Sequence, residues 1–315
     1  MLKSPSPILV MREKENFVPL FLRCLLAVVH SPSASAKLKY RGRLAPSPTG
    51  YLHLGHARTF WVAQERARVC GGELILRNDD LDSTRYKMEF VEAMLEDLRW
   101  FGFKWSEGPD LGGQFAPYNQ SERMNFYRAT LEKLRAGNYI YPCTCSRKDI
   151  QAATRAPHAN DDNEPIYPGT CRSNRQSEIE NRKFSWRFRV PDGETISFID
   201  GNLGEQKFMA GKDFGDFVVW RGDDVPAYQL ACVADDAAMQ ITEVVRGADL
   251  LVSTARQILL HRALGLTLPV FFHCDLMLDE AGQRLAKRHD ALSLRKLRTR
   301  GISPMELRSV WKAIN

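Results

Sequence analysis

The chain has 315 residues, 44% of them hydrophobic, with 44 Lys/Arg against 38 Asp/Glu and a formal net charge of +6. That is the composition of an ordinary soluble protein, long enough for two domains or for one domain with a large insertion. Seven cysteines are few and unevenly spaced for this length, and only Cys143, Cys145 and Cys171 cluster, which excludes a secreted disulfide framework and argues for reduced thiols with a metal.

The positive charge is concentrated at the two ends. Six Lys/Arg fall in 1–39 and nine in 284–315, and between them acidic residues outnumber basic ones. This distribution suits a polyanion meeting one face of the molecule; a solvated basic tail is the alternative. The apolar run 17–29 is too short to span a bilayer and is broken by Arg23, so no membrane association is expected. Followed by "SPSASA", it loosely imitates a signal or transit peptide, although Glu13 and Glu15 count against a mitochondrial one. Residues 1–39 are therefore read as a dispensable extension of a cytoplasmic protein, with organellar targeting, or an upstream start codon that is never used, as the alternatives.

After Tyr40 the punctuation becomes regular. "RGRLA" predicts a strand at 41–45; from Leu54, Ala57, Phe60, Trp61, Ala67 and Cys70 follow helical spacing up to Gly71 and Gly72. "ELILRNDD" reads as a buried strand. A helix is predicted over 83–101, with Phe90, Val91, Met94, Leu95 and Leu98 on one side and Gly102 ending it, and another over 121–137. Strands alternating with helices at this spacing indicate βαβ units and a parallel sheet.

The middle of the chain breaks that rhythm. Residues 143–172 surround "RAPHANDDNEP", which lacks an apolar period and reads as a surface loop. "FSWRFRV" alternates, placing Phe184, Trp186, Phe188 and Val190 inward and Arg187 and Arg189 outward, as in a half-exposed antiparallel strand. "DFVVWRGDDVPAYQLA" reads as a strand, a tight turn and a second element. The α/β pattern resumes with "MQITEVVRGADL", a helix over 250–264 and the strand "LPVFFHC"; Ser303, Pro304 and Glu306 then form a capping-box helix start. The expected architecture is a Rossmann-like parallel α/β domain in two halves, 40–142 and 222–315, split by an inserted antiparallel subdomain at 143–221. No internal repeat is found.

The stretch "RLAPSPTGYLHLGH" ends a strand in a stiff Pro-Ser-Pro-Thr-Gly turn and starts a helix, where outward-pointing N–H groups suit an anionic ligand. His53 and His56 lie on one side of the helix start and can donate to phosphate oxygens. Gly55 between them lets a flat ring such as adenine approach the backbone. The whole string resembles the first signature of class I aminoacyl-tRNA synthetases of the glutamyl and glutaminyl branch, and the likeness covers about 41–290. "RLAKR" at 284–288 stands where that family carries its lysine loop, so Lys287 matches the second lysine, while Arg284 replaces the first and Ala286 the usual serine. The resemblance implies ATP binding by Pro48, His53, Gly55, His56 and Lys287, with Mg²⁺ on the phosphates, and catalysis by His53, His56 and Lys287 where charge builds on the departing pyrophosphate.

The same resemblance puts L-glutamate on Arg43, Ser47, Asp79, Tyr228 and Arg246. Arg246 is expected to face a substrate carboxylate and Asp79 the ammonium, since glutamate demands cations for its two acids and an anion for its amine. Here the family's Arg-x-Glu-Asp-x-Asp is "RNDDLD", so Asp79 is one methylene shorter than the usual acid. The clustered thiols offer three soft ligands for Zn²⁺, and His158 or Tyr167 can complete the set. The resemblance to short glutamyl-synthetase paralogues favours Cys143, Cys145, Tyr167 and Cys171. Cys24, Cys70, Cys232 and Cys274 fall in apolar surroundings and read as unreactive, and His261 and His273 as packed or surface histidines.

Only 27 residues follow Arg288, too few for an anticodon-binding domain. A synthetase core with a zinc-type insertion and no such domain resembles the glutamyl-queuosine tRNA(Asp) synthetase family. That family activates glutamate with ATP and transfers it to the queuosine base in the anticodon of tRNA(Asp). A monomer is expected. A truncated synthetase charging a tRNA 3′ end and a non-catalytic RNA-binding module derived from a synthetase remain the alternatives.

Overall fold

The computed structural model describes residues 39–146, 148–150, 166–174, 179, 182–277 and 292–312. In chain order its elements are β1 (Arg41–Leu44), α1 (Leu54–Val69), β2 (Glu73–Leu76), α2 (Met88–Phe101), a 3₁₀ turn (Gln120–Arg123) leading into α3 (Met124–Ala136), β3 (Ile140–Cys143), β4 (Ser185–Phe188), β5 (Thr195–Asp200), β6 (Gly204–Met209), β7 (Phe217–Trp220), α4 (Tyr228–Ala238), β8 (Glu243–Gly247), α5 (Leu251–Leu264), β9 (Val270–Cys274), α6 (Leu294–Thr299) and α7 (Pro304–Lys312). They fall into two compact units. One comprises the chain up to Gly113 with Val245–Asp249 and everything from His273 onward; the other comprises Gln114–Val244 with Leu250–Phe272.

In the first unit β1 and β2 pair in parallel, Leu44 opposite Leu76, with α1 as their connection. Every residue of β1 is buried, as a strand covered on both faces requires. Arg41 is held by two carboxylates, Glu73 at 3.0 Å and Glu107 at 2.7 Å. Helix α2 begins five residues later than the apolar pattern predicts. The Asp82 carboxylate accepts from Thr84 Oγ1 (2.6 Å) and Arg85 Nε (2.7 Å), and its carbonyl accepts the N–H groups of Arg85 and Tyr86. That local turn competes with helix over 83–87. Gly102, at φ 92°, ends α2 in a left-handed conformation open to glycine. Phe101 then stacks on Phe103 (5.0 Å) and on Trp311 of α7 (5.5 Å). The capping box at α7 forms as read, Ser303 N–H donating to Glu306 Oε2 and Glu306 N–H to Ser303 Oγ.

In the second unit β3, β4 and β7 form an antiparallel sheet, with Ile140 opposite Phe188 and Phe188 opposite Phe217. A second sheet has the order β6-β5-β9-β8; β5 and β6 are antiparallel, and β5 meets β9 in parallel at Asp200 and Phe271. Strands β8 and β9 each begin in this unit and end in the other. Its helical core holds a carboxylate, Asp235, fully buried on α4, which accepts from Gln120 Nε2 (2.8 Å), Arg123 Nε (2.7 Å) and Tyr127 OH (2.8 Å). The alternation expected for 184–190 holds, but the face read as exposed is covered too: Arg187, opposite Tyr141 in the unbroken β3–β4 register, packs against Tyr167 and is only 7% exposed. The β4–β7 register shift leaves its extra residue, Val219, on β7. Cys232 and Cys274 are buried free thiols, whereas Cys70 is disulfide-bonded, which departs from the reduced state expected. No helix among the described residues is long and apolar enough to cross a membrane.

Candidate active site and metal centre

The proline-rich turn is pinned by its neighbour strand. Arg77 N–H donates to Leu44 O (2.8 Å) and Asp79 N–H to Pro46 O (3.1 Å), so the turn lies against the carboxyl end of β2. Pro48 is buried and Ser47 exposed, with Ser47 O accepting from Thr49 N–H. The turn delivers His53 as the N-cap of α1. His53 Nδ1 accepts from Gly55 N–H (3.1 Å), and His53 N–H donates to His56 Nδ1 (3.2 Å). This is a capping box built from two imidazoles, their rings 3.8 Å apart. Because each Nδ1 accepts a backbone proton, the hydrogen-bond network assigns the ring proton of each neutral imidazole to Nε2. The result is a pair of oriented donors at a helix N-terminus, the electrostatic setting that suits phosphate.

Gly55 has a reason in the chain itself. A Cβ there would sit 3.0 Å from His53 Cε1 and 3.1 Å from its Nδ1, so the capping ring would have to shift by a few tenths of an ångström. The far side of the turn is fixed by residues the sequence did not mark. Leu294 N–H donates to Leu52 O (2.8 Å), and Ser293 bridges His53 in antiparallel fashion while its Oγ caps α6. Arg284, Ala286 and Lys287 lie outside the described residues, as does His158.

Of the residues assigned to glutamate, Arg43, Asp79 and Arg246 are all buried in the first unit. Arg43 Nη1 donates to Val245 O (3.0 Å), on the strand that carries Arg246. Asp79 is oriented by Arg77, whose Nε lies 2.7 Å from Asp79 Oδ1 and whose side chain is fully buried. Arg246 Nε donates to His273 Nε2 (3.2 Å). His273 is fully buried in β9, and it also orients the arginine. The sequence marks neither orienting role: His273 is a polar residue inside an apolar strand and Arg77 one just past its end, patterns that read as packing. Tyr228, in the second unit, is the first residue of α4 and is 42% exposed.

The second unit also gathers Cys143, Cys145 and Cys171, whose sulfurs lie within 4.8 Å of one another. Cys145 and Cys171 are 3.5 Å apart, and Tyr167 OH is 3.3 Å from Cys143 Sγ and 3.6 Å from Cys145 Sγ. A tetrahedral ion with bonds of ~2.3 Å to sulfur and ~2.0 Å to oxygen would have edges of ~3.8 Å (S to S) and ~3.5 Å (S to O). The donor set thus fits a four-coordinate soft cation. Burial pushes the Cys145 thiol up. Burial acts the same way on Cys171, but there the hydrogen bonds of Tyr167 OH, Thr144 and the neighbouring thiols outweigh it and bring the group down.

Residues 39–312 match the family described as tRNA synthetases class I (E and Q), catalytic domain. The chain is 50% identical over 268 residues to the Glutamyl-Q tRNA(Asp) synthetase of Symbiobacterium thermophilum, covering 84% of this chain and 82% of that protein. It is 47% identical over 267 residues to the Glutamyl-Q tRNA(Asp) synthetase of Nitratidesulfovibrio vulgaris, covering 83% and 82%. Among solved structures it resembles a glutamate tRNA ligase from Elizabethkingia meningosepticum in complex with its amino acid, with a TM-score of 0.70 and 33% identity over 79% of this chain and 52% of that one. The chain spans about half the length of that ligase. Since the family match runs from the strand before the histidine cap to the last helix, the chain belongs to the class I tRNA synthetases of the E and Q branch, through their α/β catalytic domain.

Proposed function

We propose that this protein activates L-glutamate with Mg²⁺-bound ATP to glutamyl-adenylate and transfers the glutamyl group to the queuosine base of tRNA(Asp). The observation that carries the first step is the reciprocal capping of His53 and His56, which engages both Nδ1 atoms and leaves two Nε2 donors at the start of α1. When a glutamate carboxylate oxygen attacks the α-phosphorus, the bond to the pyrophosphate oxygen breaks and negative charge grows on the phosphoryl and leaving oxygens. Donors already fixed there lower that barrier without reorganising. Pro48 and Gly55 shape the nucleotide side, and we assign Lys287 as a further cation on the phosphates.

For the amino acid, Arg43 and Arg246 are the cations for its carboxylates, Asp79 the anion for its ammonium, and Ser47 and Tyr228 further polar contacts. The pairings Arg77–Asp79 and Arg246–His273 support this reading, since they hold the charges of the site in fixed orientations. We take Zn²⁺ as the ion for Cys143, Cys145, Tyr167 and Cys171; it would tie Tyr167 and Cys171 to the end of β3. A single chain in the cytoplasm, where tRNA is found, suffices. The acceptor is proposed from the names of the two relatives about half identical to this chain; the alternative, charging of a tRNA 3′ end, is the less favoured reading.

Glutamate-dependent exchange of pyrophosphate into ATP, run over several amino acids with and without tRNA, tests the activation. Exchange with glutamate and without tRNA is expected; no exchange would leave only a binding module. Transfer is then followed onto queuosine-bearing tRNA(Asp) that lacks its 3′ adenosine. It should persist, and its loss would transfer the assignment to the 3′ end.

A further inference from the structure

Arg187 sits where the strand pattern calls for an exposed residue, yet its side chain is buried beside the cysteine cluster. Its Nε donates to Cys143 Sγ (3.2 Å), and its guanidinium carbon lies 4.1 Å from the centre of the Tyr167 ring. Its Nη1 donates to the backbone carbonyl of Asp216 (3.0 Å). No carboxylate pairs with it among the described residues. The nearest candidate, Asp216, is committed elsewhere: its oxygens accept from Arg172 Nε and Nη2, from Tyr141 OH and from Val190 N–H. A permanently charged guanidinium is costly to bury without an anion. The two groups it touches other than that carbonyl are both members of the candidate metal set.

Resting on the zinc reading above, we infer that Arg187 is the counter-charge of the metal-loaded cluster, a positioning residue that retains the ion without touching it. Three thiolates on a divalent cation carry one negative charge in excess, and one guanidinium cancels it. The N–H donated to Cys143 also fixes the direction of that sulfur's lone pairs, the kind of outer contact whose loss commonly weakens metal binding by about 10–100-fold. Ordinary strand alternation delivers the cation: Arg187 stands opposite Tyr141 in the regular β3–β4 register, on the sheet face that the cluster covers.

The test uses the full chain loaded with zinc. Zinc per chain is measured first, followed by competition against a chromogenic chelator, for the wild type, Arg187→Gln and Arg187→Lys. Glutamine keeps a donor for the Asp216 carbonyl but removes the charge; lysine keeps the charge. The expected result is about one zinc per wild-type chain, a loss of affinity of at least about 10-fold in Arg187→Gln, and a clearly smaller loss in Arg187→Lys. With Co²⁺ in place of Zn²⁺, the thiolate-to-metal absorption of Arg187→Gln should move to longer wavelength, because a sulfur relieved of a cationic donor holds its electrons less tightly. Wild-type chain that binds no zinc would overturn the metal reading and this inference together. Wild-type zinc binding with unchanged retention and spectrum in Arg187→Gln would overturn the inference alone. Equal losses in both variants, or failure of both to fold at any zinc concentration by near-UV circular dichroism, would make Arg187 a packing residue and overturn it as well. If Arg187→Gln folds only when zinc is in excess, that is the expected weakening.

Discussion

At position 53 the proposed reaction gives one imidazole two tasks through two different atoms, and substitution can separate them. Nδ1 caps α1, while Nε2 carries the ring proton that we propose is donated to the phosphates. Asparagine is a good N-cap but cannot place a donor where Nε2–H lies. His53→Asn should therefore leave stability within a few tenths of a kcal/mol while slowing pyrophosphate exchange by about 10²–10³-fold. His53→Ala should show the same rate loss with about 1 kcal/mol of stability lost in addition. If His53→Asn exchanges at the wild-type rate, the imidazole is a cap and nothing more. Gly55→Ala separates the same two properties in the opposite sense. Its Cβ crowds the His53 ring at 3.0 Å, so exchange should fall, whereas alanine's helix preference should hold denaturant stability level or raise it. The stiff turn and the helix start that carries both histidines were legible from sequence because they are local; the imidazole cap was not, because it depends on ring orientation. Arg77 and His273 were not, because what each orients became visible only once strands were set beside one another.

Helix α2 carries a carboxylate on the face that its apolar pattern assigns to the core. Asp97 is fully buried, neither oxygen has a hydrogen-bond partner, and Arg298 of α6 approaches only to 3.8 Å. Burial pushes the group up to about 6, against the pull of Arg298 and Arg295. The folded value exceeds the unfolded one, so the fold binds this proton more tightly than the open chain does. The associated stabilisation is present at acid pH and is lost as pH rises from the ordinary carboxylate range through about 6. Asp97→Asn should thus gain about 1–3 kcal/mol over wild type in chemical denaturation at pH 8, with a much smaller difference at pH 4. An equal difference at the two pH values would mean that folding does not raise the Asp97 carboxyl above its unfolded value. Periodicity located this helix's face and its glycine stop, but it is blind to a polar residue that the face buries. The same blindness explains Asp235, whose partners stand more than 100 residues earlier in the chain, and Arg187, whose outward strand face is covered by the cysteine cluster.

Across the whole molecule the excess of positive charge toward the C-terminus reads as a footprint for polyanions, and the fold divides that charge into two kinds. Arg298 pairs with Glu96 at 3.1 Å, and Arg308 donates to the carbonyl of Phe101 while lying 4.6 Å from the centre of the Trp61 ring. These two hold α6 against α2, and α7 against α1 and α2. Lys296 and Arg300 are exposed on this segment, and we propose them as contacts for RNA phosphates. Neutralising a phosphate releases counterions, and affinity then falls with salt in proportion to the number of such contacts. Lys296→Ala and Arg300→Ala should each weaken tRNA binding about equally for any sequence and make the slope of log affinity against log salt shallower by about 1. Pyrophosphate exchange without tRNA should be unchanged in both. Arg298→Ala, which removes the cation nearest Asp97, should instead lower stability at pH 8 and leave the salt slope as it is. Slopes unchanged in both Lys296→Ala and Arg300→Ala would mean that α6 presents an ordinary solvated face, and the RNA would have to be held by cations elsewhere in the chain.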